Sequence, residues 1–175
     1  MKIRLWLLLL VQLPANPSSS RVALWRKLRA AGALSVTNGA WVLPESEKSR
    51  LLFEQLTTAT RSDKGSAAFF YSAEMDKAEN EALIGRFRDD RDREYSEISL
   101  RMQAFLDEIK KETRLQKFTF AELEEIEDDF AKLSAWLRKI SERDFFPNSR
   151  LNGMRSMANR SLLYFSSSPL TMLAT

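Results

Sequence analysis

The segment from residue 5 to residue 44 constrains the fold more than any other part of this chain. It reads LWLLLLVQLPANPSSSRVALWRKLRAAGALSVTNGAWVLP. An unbroken apolar run, Leu5 to Val11, leads into prolines and serines, a basic stretch and an Asn-Gly pair. Two readings compete. With Lys2 and Arg4 ahead of it, the run has the charged start of a secretory leader and falls within its roughly 7–15 apolar residues. It is too short to span a bilayer, which takes about 20 residues. No A-x-A cleavage motif stands between Gln12 and Ser20, however. Asn16-Pro17 makes a helix start instead. An Asn side chain accepts from an orphan N–H, and a proline at the first helical position has no N–H to leave unsatisfied. Gly32 stands where a helix C-terminus takes a left-handed residue. The run is therefore read as a strand kept within a cytoplasmic protein, with no membrane partner.

Residues 3–11 read as that strand, and their continuous apolar character implies cover on both faces. Residues 17–31 read as a helix with Val22, Trp25 and Leu28 inward and Leu24 and Ala31 beside them. Arg21, Arg26, Lys27 and Arg29 fall largely outside that face. Strands over 33–37 and 40–43 flank Asn38-Gly39, a hairpin pair in which both positions tolerate positive φ. A second helix over 46–60 turns Leu51, Leu52, Leu56 and Ala59 inward. Gly65 begins a turn, and Ala67 to Tyr71 forms a fourth strand. The order β-α-β-β-α-β within residues 1–74 defines an α+β, ferredoxin-like domain. Its two helices cover one sheet face and leave the other in need of a partner.

Residues 75–147 read as a long C-terminal helical hairpin. Asp76 and Glu79 form a capping box that opens a helix with Leu83, Ile84, Phe87, Tyr95, Ile98, Met102, Phe105 and Ile109 on its apolar side. A second box, Thr119 to Glu122, opens another with Leu123, Ile126, Phe130, Leu133, Leu137 and Ile140 three and four apart. Such a seam suits a partner helix. The hairpin can cover the sheet, form a homodimer interface or project as an arm. Residues 148–175 form a poorly patterned tail.

The chain has neither cysteine nor histidine. Disulfides, thiolate metal sites and the commonest general base are thereby removed. No catalytic, metal or cofactor site is expected, and the chain is read as a non-enzyme. Glu122, Glu124, Glu125, Glu127, Asp128 and Asp129 read as a solvated acidic helix face. Charge is uneven: residues 1–75 carry ten Lys/Arg and five Asp/Glu, while residues 76–150 carry fifteen and nineteen. A basic front part admits an anionic partner. Arg21, Arg26, Lys27 and Arg29 are the candidate DNA-phosphate contacts, and an ordinary solubilising helix face would use the same residues. The stretch RFRDDRDRE, 86–94, reads as a solvated face laced with i,i+4 ion pairs. Alternatively Arg86, Arg88, Arg91 and Arg93 gather a tetrahedral oxyanion, which guanidinium forks suit. Trp25, Trp41, Phe69 and Phe70 are read as core.

Trp6 to Leu10, Leu13-Pro14, Pro17 to Ser19, Arg21, Val22, Trp25, Arg26, Leu28, Gly32-Ala33 and Val42 to Pro44 together resemble the N-terminal domain of the chromate-resistance regulator family ChrB. The later stretches EALIGRFRDDRDREYSEI and ERDFFP are similar to that family's helical continuation. The likeness runs from about residue 5 to 147 and departs after Asn148. It implies a cytoplasmic protein of chromate-responsive gene regulation, with DNA and chromate or a similar oxyanion as candidate partners. It also implies a distant likeness to the sheet domain of the phenylacetate repressor PaaX and to small nucleases of CRISPR adaptation. Those nucleases place a metal-binding aspartate just after the first strand. Here that place is Gln12-Leu13-Pro14, without a carboxylate.

Overall fold

The computed structural model describes residues 6–16, 18–72, 76–115 and 120–147, with isolated positions at 152, 153, 156 and 159. The expectations at residues 3–5, at Pro17, over the capping box at Thr119 and for most of the tail lie outside the described residues, as do the side chains of Glu122 and Leu123. Eight elements follow in order: β1 (Trp6–Gln12), α1 (Ser18–Ala30), β2 (Leu34–Thr37), β3 (Ala40–Pro44), α2 (Glu47–Ser62), β4 (Ser66–Ser72), α3 (Lys77–Leu115) and α4 (Phe120–Glu142). The chain is α+β. Two compact units divide it, Met1–Phe87 and Arg88–Thr175, with the boundary inside α3.

In the front unit the four strands form one sheet in the order β2-β3-β1-β4. Every neighbouring pair is antiparallel. β1 is central, pairing Leu9 with Trp41 on one side and with Phe69 on the other. Directly opposed residues in antiparallel strands share a face. One face therefore carries Leu7, Leu9, Leu43 and Phe69, and α2 lies on it with Phe53 edge-on to Phe69 at 6.3 Å. α1 and α2 line a common cleft at Leu24, Lys27, Leu56 and Thr60.

The other face carries Trp6, Leu8, Leu10, Val42 and Phe70. Its cover is partial. At one end the start of α3 closes over it: Trp6 stacks on Phe87 at 5.7 Å, and its indole N–H donates to Asn80 Oδ1 at 2.9 Å. Exposure then rises along the strand, from 1% at Trp6 to 43% at Leu10. The unbroken apolar run implied cover throughout, and the structure gives it over the first half only.

The turns explain where the helices stop. Gly32, at φ 77°, ends α1. Its N–H donates to Arg29 O, and the N–H of Ala33 donates to Leu28 O. This pair of hydrogen bonds is the Schellman closure, which needs a left-handed residue at that place. Lys64 repeats the closure after α2 with a side chain in the left-handed region, φ 60°. The N–H of Lys64 donates to Arg61 O and that of Gly65 to Thr60 O. A Cβ there works against the backbone. Lys64→Gly should therefore raise stability by about 0.5–1 kcal/mol, read by urea denaturation; an unchanged or lower midpoint would contradict it. Asn38-Gly39 does turn β2 into β3, but only Gly39 has positive φ. A Cβ on Gly39 would lie 2.5 Å from the carbonyl oxygen of Val11.

Two helix expectations are corrected. Val22 and Trp25 of α1 are 44% and 53% exposed rather than inward, and Leu28 alone is buried. In α2, Leu51 and Ala59 are exposed, and the inward face is Ser49, Phe53, Leu56, Thr57 and Thr60. The bonds of Ser46 to the N–H and hydroxyl of Ser49 cap this helix and fix its rotation.

In the second unit α3 and α4 pack through Tyr95, Ile98, Met102, Leu137 and Ile140, with Leu133 and Trp136 against them. Ile109 forms a further centre with Phe105, Ile126 and Phe130. The solvated-face reading of residues 86–94 fails at Arg91, which is 5% exposed. Arg91 Nη1 lies 3.0 Å from Glu94 Oε2. Arg143, beyond α4, grips the same carboxylate with Nη2 at 2.8 Å and Nε at 3.3 Å. The Tyr95 hydroxyl donates to Asp144 beside them at 3.4 Å.

Candidate functional site

The front unit presents its cations on α1. The helix carries Arg21, Arg26, Lys27 and Arg29 and no acidic residue. All four are exposed. With Leu28 as the inward direction, 3.6 residues per turn place Arg26 opposite it, Arg29 and Lys27 on the two flanks, and Arg21 on the Leu28 side, two turns nearer the start of the helix. Lys27 stands apart, on the cleft shared with α2 beside Asp63. The four expected cations are thus spread around the helix rather than gathered on one side.

Arg21 and Trp25 also line a groove of about 860 Å³ at the open end of the sheet, with Leu10, Gln12, Asn38 and Phe70. Phe70 is 51% exposed. The expectation that Trp25 and Phe70 belong to the core is therefore overturned, whereas Trp41 is buried and Phe69 half-buried. Phe70 faces outward because it opposes Leu8 on the partly covered sheet face. The sequence held one signal for Trp25: it stands four residues from both Arg21 and Arg29, nearer to them around the helix than to Leu24.

The four arginines of the oxyanion expectation fall in different settings. Arg86 belongs to the front unit and donates through Nη2 to Ser35 O at 2.7 Å. Arg88, half-buried, Arg91 and Arg93 belong to the second unit. Arg91 faces Glu94, and Arg93 pairs with Asp90 at 2.9 Å while remaining 77% exposed. The pairing missed from sequence is that of Glu94 with Arg143, because those residues lie 49 positions apart. Among the described residues no group of three or more His, Cys, Asp or Glu is placed to hold a metal ion. Nor, among them, is any helix long and apolar enough to cross a membrane.

An α+β sheet unit with an acid-free basic helix, followed by a helical hairpin unit, is the class this architecture defines. The family model described as Protein ChrB, N-terminal, matches residues 21–161. The chain belongs to that family. It is 30% identical over 146 residues to Protein ChrB of Cupriavidus metallidurans, an alignment covering 82% of this chain and 41% of that protein. The chain thus spans about two-fifths of that relative's length. No solved structure matches it.

Proposed function

We propose that this chain is a non-enzymatic, cytoplasmic regulatory domain of chromate resistance that contacts DNA phosphates through α1. Membership of the ChrB N-terminal family supports the regulatory part. The observation that carries the DNA part is that α1 bears the exposed cations Arg21, Arg26 and Arg29 and no acidic residue. Lys27 adds charge from the neighbouring cleft. The antiparallel β2-β3-β1-β4 sheet, with helices after β1 and β3, supports the ferredoxin-like reading of this unit. Such a surface binds through release of counterions, so log affinity falls linearly with log salt, by about 0.9 per phosphate contacted.

The test is fluorescence anisotropy with promoter DNA from beside the chain's own gene, titrated across salt concentration. Replacing Arg21, Arg26, Lys27 and Arg29 together by Ala should flatten the slope by about 2–4 and weaken binding at low salt. An unchanged slope, or no binding by the unaltered protein, would overturn the proposal.

A further inference from the structure

The two edges of the front sheet are finished differently. An open edge offers unpaired N–H and C=O groups to any extended chain, and proteins blunt it with short strands, bulges or charge. β2 is blunted in this way. It has four residues, and a register shift between Ser35 and Thr37 breaks its ladder. Arg86 Nη2 also takes the Ser35 carbonyl at 2.7 Å. β4, at the other edge, runs for seven residues, SAAFFYS, without charge or proline and in unbroken register with β1.

In an antiparallel ladder the N–H and C=O of one residue point to the same side, and that side alternates along the strand. The Val11 N–H donates to Gly39 O, away from β4, so Val11 and the opposing Ala67 do not bond each other. Ala67, Phe69 and Tyr71 therefore turn their backbone groups to the free edge. Arg61 Nη2 donates to the Ala67 carbonyl there at 2.9 Å. The groups of Phe69 and Tyr71 meet no strand among the described residues. Their rings stand 6.3 Å apart on the helix-covered face, while Phe70, on the other face, is 51% exposed.

We propose that β4 seats a second copy of this chain, paired antiparallel with its own β4 about a twofold axis at Phe70. The chemistry of the strand selects that occupant. A twofold contact sets one surface against itself, and this charge-free strand then brings no like charges together. Centred on Phe70, the register opposes Phe69 to Tyr71 of the second copy, and Tyr71 to its Phe69. These are the outward-turned residues, and each such pair exchanges two hydrogen bonds. The Ala67 carbonyl, already held by Arg61, is not called on, whereas a register centred on Phe69 would need it. All the opposed pairs from Phe69 to Tyr71 are aromatic, a stabilising cross-strand combination. The two sheets become one continuous sheet.

The chain has no cysteine, so one introduced thiol reports its own contact. Phe70 bonds to β1, which makes its meeting with its counterpart a non-hydrogen-bonded pair. Its Cα atoms should lie about 4.5 Å apart, within disulfide reach. Phe70→Cys in the full chain should therefore cross-link to a dimer under mild oxidation. Val36→Cys, 45% exposed at the blunted edge, should not. Sedimentation equilibrium of the unaltered chain in the micromolar range should give a dimer. Tyr71→Pro removes an outward N–H and spares the β1 ladder. With two bonds lost per dimer, its dissociation constant should rise about 5- to 150-fold. Phe70→Lys and Phe70→Glu should each be monomeric through like-charge repulsion at the axis, and their equimolar mixture should dimerise again. Phe70 is half exposed, so these variants should fold, which circular dichroism checks. A monomer throughout the micromolar range, or equal cross-linking of the two cysteine variants, overturns the inference. So does a mixture that stays monomeric. A dimer that none of these changes weakens assigns assembly to another surface and overturns it as well.

Discussion

Trp6→Ala should destabilise the front unit by about 3–5 kcal/mol, the range for truncating a buried aromatic. Trp6 is 1% exposed at the start of the central strand. Three effects act together at this position. The ring fills the space between the sheet and the start of α3, where it stacks on Phe87. Its removal leaves a cavity beside Leu83, already on the wall of an apolar pocket that Leu8 and Val42 also line. The third effect is the indole hydrogen bond to Asn80, which a smaller change isolates. Trp6→Phe keeps most of the ring and should cost about 1 kcal/mol through the lost bond, plus a smaller packing term. Native domains are stable by only about 5–15 kcal/mol, so the Ala variant should lose much of its margin. Chemical denaturation of both variants checks the order; equal midpoints for Trp6→Ala and the unaltered chain would show that α3 does not depend on this residue.

Glu94→Ala should be the most damaging charge removal in the second unit, at about 3 kcal/mol. Removing one partner of a buried ion pair costs roughly 3–5 kcal/mol, because the other charge stays buried without compensation. Here one carboxylate serves two guanidiniums, Arg91 and Arg143, whose side chains are 6% and 16% exposed. Glu94 itself is 24% exposed, which places the loss at the lower end. The control is Glu97→Ala. Its pair with Arg101 has side-chain exposures of 63% and 56%, and such surface pairs contribute about 0–1 kcal/mol. Urea denaturation of the two variants separates the cases. Similar midpoints would mean that water reaches the Arg91–Glu94–Arg143 group freely.

Much of the fold was legible because local chemistry and tertiary structure agree. The left-handed closure at Gly32, the capping residue Asp76, whose Oδ2 accepts from the Ala78 N–H, and the three- and four-residue spacing from Tyr95 to Met102 all act within a few residues. The wrong assignments arose where an apolar residue had two faces open to it. Val22 and Trp25 lie within reach of an inward position, yet Leu28 takes that position and turns them outward. Ser49 and Thr57 are buried in α2 where Leu51 was expected. The cap at Ser46 and the contact of Phe53 with Phe69 decide that rotation.

The opening apolar segment shows the same division. By itself the sequence determined that Trp6 to Val11 extends as a strand, that a basic helix follows and that an Asn-Gly turn returns the chain, since backbone preference and short-range hydrogen bonding suffice for each. Only the tertiary structure decided that β1 lies between β3 and β4, with Trp6 under α3 and Leu10 in an open groove. It alone left Trp25 and Phe70 exposed and brought Arg143 to Glu94. Those outcomes depend on contacts between residues far apart in the chain. A strand that is apolar on both sides carries no mark of which side another element will cover.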